Sequence, residues 1–569
     1  MKPEYYNFDE PVHQSYNLKA DWACFYDGAA MTLTQLSGSG TLRVWNKWNG
    51  PVIFQTPEET IEVEAGHSKD FQLTEQTIGT PIAIGANDDT VFQDWSNSSF
   101  VDPDTETAQT RVITYIGHIF CELIGNNNDV RMGLHFKKPT SFFLQDGGTT
   151  ASDGFFSGFC RGEAISQITA DAGIKLFDLS TITTVGNEFF ALMFTHNTNI
   201  TELPEGSFDT SNIVMTVPPD GAELTKGQHF FQGFNEYGAL SALPAGSFNI
   251  SKITCAPDMF FTAFNQYGAL TSLPAGSFVT TQIVENHGWF FCQFNDHGAL
   301  TSLPSGSFNL TGLQYSYQPH DELFNSFNSA GELDLLPEGS FAMTNYRGIK
   351  KGYDSDPTYH VGYLPAYSFS EFTSRAGKLR LLPAGSFVFP NITGLETSCF
   401  NAFAGINAQD WGDAPGPILQ ALPSGSFRFP NVVEIQSWCF NSFIESAKNI
   451  HYLPSQSFRF PSVTKISPDY VMRSFANNSG LLALPSGGFN ISTNATLTSS
   501  GTCTYLWGAF VGTTMAPSSS GVTITALKNE SILDIYDYGC SGQALCGYVS
   551  KGGTITFPSG TGNSSGSTP

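Results

Sequence analysis

The chain has 569 residues, with 26 Lys plus Arg against 51 Asp plus Glu, a formal charge of −25 and only 14% charged residues. That balance argues against nucleic acid, which needs a basic face, and against an anionic membrane surface. No stretch approaches the roughly 18 consecutive apolar residues of a spanning helix. The 49 Phe and 56 Gly instead predict a large aromatic core under a neutral skin.

Residues 1–147 are expected to form a separate domain. MTLTQL (31–36), TLRVW (41–45), TIEVEAG (60–66) and RVITYIG (111–117) alternate apolar and polar positions between Gly, Asn and Pro. This predicts a small antiparallel β-sandwich that caps the rest or attaches it to something larger. Its first thirty residues show neither a basic start nor an apolar run, so a standard signal peptide is not expected. The acidic run Asp102, Asp104, Glu106 has the alternation of a calcium loop but lacks its Gly, so it reads as a solvated loop.

From about 148 to 517 the chain repeats. Phe230–Phe248 (FFQGFNEYGALSALPAGSF), Phe260–Phe278 (FFTAFNQYGALTSLPAGSF) and Phe290–Phe308 (FFCQFNDHGALTSLPSGSF) follow one another at a spacing of 30. A fixed period of this size is the mark of a solenoid, whose coils bury their apolar side chains only by stacking. Phe231, Phe261 and Phe291 should make one column, and Leu243, Leu273 and Leu303 another. Each fully buried member contributes roughly 1.5–3 kcal/mol. Within a coil, Pro274 ends any strand, and the Gly of GSF suits a positive φ. Asn235, Asn265, Asn295 and Asn328 should bond the neighbouring coil.

The order of Ile253, Phe261, Phe264, Asn265, Leu270, Leu273 and Pro274 resembles the BspA-like, treponemal-type leucine-rich repeat, over about residues 150–515. The period near thirty is longer than in that family, and Phe replaces much of its Leu and Ile. The resemblance implies a mainly β, right-handed leucine-rich-repeat solenoid, here of about eleven coils. It also implies a surface-exposed adhesion or recognition protein without catalysis.

Three steps break the period. The spacing is 40 from Phe208 to Phe248, 46 from Phe341 to Phe387, and 40 from Phe387 to Phe427. The surplus includes 217–227, 350–365 and 405–417, which must leave the coil as loops, and such loops often bind. Tyr353, Tyr359, His360 and Trp411 lie there beside Asp354, Asp356, Asp410 and Asp413, a mixture of rings and carboxylates suited to sugars. A second candidate is the stripe Tyr237, Tyr267 and His297, one per coil, which either presents a ladder or packs in the turns.

The array fades near Phe475 and Phe510, and GVTITAL and GGTITFP suggest a β-rich cap over 518–569, ending in a flexible polar tail. Of ten cysteines, Cys255, Cys292, Cys399 and Cys439 read as small core residues, while Cys540 and Cys546 are the best candidates for a disulfide. No phosphate loop, H-E-x-x-H or G-x-S-x-G occurs, so no catalytic residue, cofactor or metal is expected. Two function classes remain. One is a cell-surface recognition protein that binds a protein or glycan. The other is a structural or receptor-binding part of a virus particle, assembled through the N-terminal domain. Both place the protein outside the cell or on a particle.

Overall fold

The computed structural model describes residues 31–86, 110–116, 119–124, 130–136, 140–141, 149–317, 322–351, 360–406, 416–467 and 469–482, with short pieces at 492, 495–498, 509, 523–525 and 554–556. Among these the protein is almost wholly β and turn, its helix confined to the 3-10 turn Glu75–Thr77. No helix among them is long and apolar enough to cross a membrane. The chain divides into two compact units: 1–215 with 226–252 and 267–277, and 216–225 with 253–266 and 278–569.

The first unit opens with nine strands: β1 (Met31–Ser37), β2 (Gly40–Asn46), β3 (Val52–Gln55), β4 (Thr60–Val63), β5 (Ser68–Leu73), β6 (Pro81–Ala86), β7 (Thr110–Ile116), β8 (Ile119–Ile124) and β9 (Arg131–Phe136). The four alternating stretches read from the sequence fall on β1, β2, β4 and β7. One sheet runs β5-β2-β8-β7, antiparallel throughout. The other runs β9-β1-β6-β3-β4 and gains a sixth strand, β10 (Ile165–Ala170), parallel to β9. Phe54 of this sheet meets Phe71 of the other at 5.7 Å between ring centres. Leu33, Leu42, Val44, Val52 and Met132 of the two sheets are fully buried. Strand β10 lies within the stretch assigned by sequence to the coils, so the coils begin on the edge of a sheet.

A β-solenoid of about ten turns with a period near 31 follows. Its strands are only two residues long and parallel. Cys255–Ala256, Glu285–Asn286 and Tyr315–Ser316 form one ladder; Tyr363–Leu364, Gly394–Leu395, Glu434–Ile435, Lys465–Ile466 and Thr496–Leu497 form another. The rest of each coil is turns, whose amides bond the next coil: Phe261 N donates to Phe290 O, Ala263 N to Cys292 O and Asn265 N to Phe294 O. Where backbone groups cannot find a long strand partner, this ladder of turns satisfies them.

Phe fills the interior in a herringbone. Between coils the rings stack: Phe261 on Phe291 at 4.7 Å and Phe264 on Phe294 at 5.2 Å. Within a coil they meet edge to face, as Phe278 does with Phe261 at 4.7 Å and Phe264 at 5.2 Å. Both arrangements suit the ring quadrupole. Ile253, Ile283, Leu240, Leu270 and Leu300 are fully buried, and Leu273 is 8% exposed. The column of Leu243, Leu273 and Leu303 sits at the margin, with Leu243 and Leu303 only half-buried. The Asn column runs side chain to side chain, Asn265 Nδ2 to Asn295 Oδ1 at 3.0 Å and Asn295 Nδ2 to Asn328 Oδ1 at 2.8 Å.

A Cβ on Gly298 would lie 2.3 Å from Asn265 O and 2.3 Å from Asn295 Oδ1. The Gly of GAL is thus required by close approach to the Asn column. At the C-terminal end, Thr523–Thr525 pairs in parallel with Thr554–Thr556. The remainder of the expected cap, with Cys540 and Cys546, lies outside the described residues, as does the acidic run 102–106.

Candidate functional site

In several coils the Phe-rich turn places residues at positive φ four positions apart. In the first coil these are Gly154, Gly158 and Gly162; in the next they are Glu188, Leu192 and His196; then His229, Gly233 and Tyr237; then Met259, Ala263 and Tyr267. Glycine adopts this conformation freely, whereas an L side chain there costs roughly 1–2 kcal/mol. The third of the four-spaced positions faces outward, and it carries the Tyr and His stripe. His196 stacks on Tyr237 at 4.8 Å and 5°, and Tyr237 on Tyr267 at 4.6 Å and 4°. Tyr237 is 43% exposed and Tyr267 42%. The coil-to-coil bonds His196 N to Glu236 O, 2.9 Å, and Ala269 N to Gly238 O, 2.9 Å, fix the spacing.

Sequence reasoning found Tyr237 and Tyr267 but missed His196, because the 40-residue step hides its alignment. The glycines of the first coil were the available signal. His297 holds the same turn position, φ 54, and bonds Asp296 Oδ1 through Nδ1 at 2.9 Å. In the ladder Tyr237 is stacked on both faces, and His196 and Tyr267 each lay one face on it. Beside it, burial holds the Glu236 carboxyl above the usual range, opposed by His196 and Arg161.

His360 is the other sequence candidate among the described residues. Its Nδ1 bonds Glu396 Oε1 at 2.8 Å, and its ring lies on Tyr363 at 4.2 Å and 9°. Tyr363 in turn covers Gly394, where a Cβ would come within 2.4 Å of the ring. The Tyr363 hydroxyl donates to Glu434 Oε2 at 3.1 Å, with Lys465 Nζ 3.4 Å from the same oxygen. Burial pushes the Glu396 carboxyl up, against the pull of His360. Burial and then Glu434 push the Tyr363 phenol up. Tyr353, Asp354, Asp356, Tyr359, Asp410, Trp411 and Asp413 lie outside the described residues.

A third cluster was not anticipated. His287 Nε2 donates to Glu285 Oε1 at 2.8 Å, and Lys350 Nζ reaches Glu285 Oε2 at 2.7 Å. The amide of Leu224, from the insert 217–227, donates to His287 Nδ1 at 2.7 Å. This accounts for both ring nitrogens and fixes the tautomer, so neither is available as a base. Burial raises Glu285, but the bonds from His287 and Lys350 outweigh it and hold the carboxyl below its ordinary value. The cluster pins an insert to the coils rather than offering a reactive group.

In the first unit a groove of about 710 Å³ runs past Asp171, Lys175, Glu205, Gly206, Asp209 and Asn249. Its residues come from successive coils, and no sequence motif marks it. Among the described residues no group of three or more His, Cys, Asp or Glu is placed to hold a metal ion. Compared with known proteins, the chain matches no family model, no curated sequence and no solved structure.

Proposed function

We propose that the chain is a non-catalytic recognition protein, a solenoid of the treponemal leucine-rich-repeat type that displays side chains to a protein or glycan outside the cell. The observation that carries this reading is the His196, Tyr237 and Tyr267 ladder, ring on ring at 4.6–4.8 Å and open to solvent. A stack of half-exposed rings offers polarised edges at one coil spacing. That suits a partner with hydrogen-bonding groups repeated at about 5 Å, such as the hydroxyls of successive sugars. The inserts with Tyr353, Tyr359, His360, Asp410, Trp411 and Asp413 supply further contacts, and the sheets of 31–136 provide attachment or assembly.

The test is binding of the labelled protein to intact cells and immobilised glycans, compared with the double variant Tyr237→Ala and Tyr267→Ala. Loss of binding by a variant that stays folded, with no more than the modest fall in melting temperature that losing two exposed stacked rings entails, supports the reading. Retained binding removes the ladder from it. Turnover of a glycan or peptide during the same incubation would overturn the non-catalytic assignment.

A further inference from the structure

Two of the buried thiols occupy one position in successive coils. Cys399 and Cys439 each precede the first Phe of their turn. Those Phe rings, Phe400 and Phe440, stack at 5.3 Å and 3°, and Phe400 N donates to Cys439 O at 2.8 Å. The strands just before them, Gly394–Leu395 and Glu434–Ile435, are in parallel register. Both sulfurs lie 2.9 Å from the same acceptor, the carbonyl oxygen of Glu396, so they are at most twice that distance apart. Neighbouring strands sit about 4.8 Å apart, inside the roughly 4.4–6.8 Å between Cα atoms that a disulfide spans.

Both side chains are fully buried, and both are free thiols in the structure. The turns that carry them also carry the roots of the insert within 405–417. Ala404 N donates to Phe443 O and Ile406 N to Glu445 O, at 2.9 and 3.0 Å. A Cβ on Gly405 would lie 2.0 Å from Ser442 O, and one on Gly416 2.7 Å from Ser446 O. Both ends of the insert therefore rest on the coil that contains Cys439.

We propose that Cys399 and Cys439 are the two halves of an inter-coil disulfide, which staples the turn before this insert to the coil on which both ends of the insert rest. The oxidant is a small-molecule disulfide. One cysteine thiolate attacks it and releases one thiol; the second cysteine then attacks the mixed disulfide and releases the other. Two electrons pass from the cysteines to the small disulfide, and the two cysteine protons end on the released thiols. Burial first, and the adjacent Cys439 thiol after it, push the Cys399 thiol well up. It stays protonated in the finished coil, so the exchange belongs to the folding chain.

The test is refolding of the full chain in mixed oxidised and reduced glutathione, followed by blocking of free thiols and peptide mapping without reductant. The expected product is one cross-linked peptide pair containing residues 399 and 439, two hydrogens lighter than the separate peptides. Its oxidised form should melt several degrees above the reduced form. That difference should vanish in Cys399→Ser and in Cys439→Ser, two variants that change one atom of a buried side chain. Recovery of both cysteines as blocked free thiols, or pairing of either with any other cysteine, overturns the proposal. So does an oxidised form that melts below the reduced one.

Discussion

The inside and the outside of the coils obey different rules. Inside, the step between turns is the same whatever lies between them. Phe264 and Phe294, 30 residues apart, stack at 5.2 Å, and Phe327 and Phe372, 45 apart across an insert, also stack at 5.2 Å. Outside, the same steps differ. One holds a carboxylate clasped by His287 and Lys350, another a carboxylate under His360, and a third an open ladder of rings. Burial and ring stacking set the interior spacing, so surplus residues leave it undisturbed. Variation in chemistry is confined to the exterior, and function should be sought there.

The sharpest way to break this contrast is to remove an interior ring. Phe294→Ala deletes a member of the stacked column that also meets Phe308 edge to face at 5.1 Å. A cost of about 3–5 kcal/mol is expected from denaturant unfolding. Because a coil contacts mainly its neighbours, hydrogen exchange should rise around 264–327 and stay low near Ile466. A uniform rise along the array would mean that the interior is one cooperative block rather than a sum of steps.

A smaller effect separates contact from backbone strain. Gly298 has an ordinary φ but no room, whereas Gly276 has φ +84° and nothing within 4 Å of an added Cβ. Gly298→Ala should cost about 1–3 kcal/mol by overpacking, and Gly276→Ala roughly 1 kcal/mol through the dihedral alone. A Gly276→Ala loss larger than that of Gly298→Ala, read from the same unfolding curves, would show that turn geometry rather than the Asn column limits the coil.

On the exterior, the two buried carboxylates should respond oppositely to pH. Glu285 is held below its ordinary value, so its contribution is present above the unfolded carboxylate pKa of about 4.3 and is lost as the pH falls through the folded value. Glu396 is held above, so its contribution is full below the unfolded pKa and is lost as the pH rises through the folded value. Unfolding free energies from acid to neutral pH should show Glu285→Gln flattening the acid loss. Glu396→Gln should gain on the wild type as the pH rises. Parallel profiles for the two variants would show that Lys350 does not distinguish the sites.

Much of the interior was legible in the sequence because three near-identical copies expose every buried column at once. Phe261, Phe264 and Leu270 point inward as expected. The conformations that aim those side chains were not legible. Phe248, Phe278 and Phe308 have φ of 58, 54 and 56°, a region that bulky residues rarely occupy, so nothing in the letters GSF announces it. The exterior was less legible still. Glu285, His287, Lys350 and Leu224 meet across coils, and their separations in sequence reflect insert lengths rather than any motif.

The smallest expected effect on stability is at the ladder, and it is the one that separates packing from recognition. Tyr267→Ala removes a stacked but 42% exposed ring, worth about 0.5–1.5 kcal/mol as an aromatic pair. Alanine keeps the strained φ of 53°, so the dihedral cost cancels in that comparison. Tyr267→Gly removes the same ring and relieves the strain, as Gly162 does in the first coil with φ 80°. It should therefore be more stable than Tyr267→Ala by up to about 1 kcal/mol. If the ladder were mere cladding, the glycine variant would lose nothing but its stack. If it recognises a ligand, both variants should weaken binding by roughly thirtyfold, the 2 kcal/mol of a central aromatic contact. The glycine variant, the more stable of the two, should bind no better than the alanine one. Binding that instead follows stability from alanine to glycine would assign the ladder to the fold.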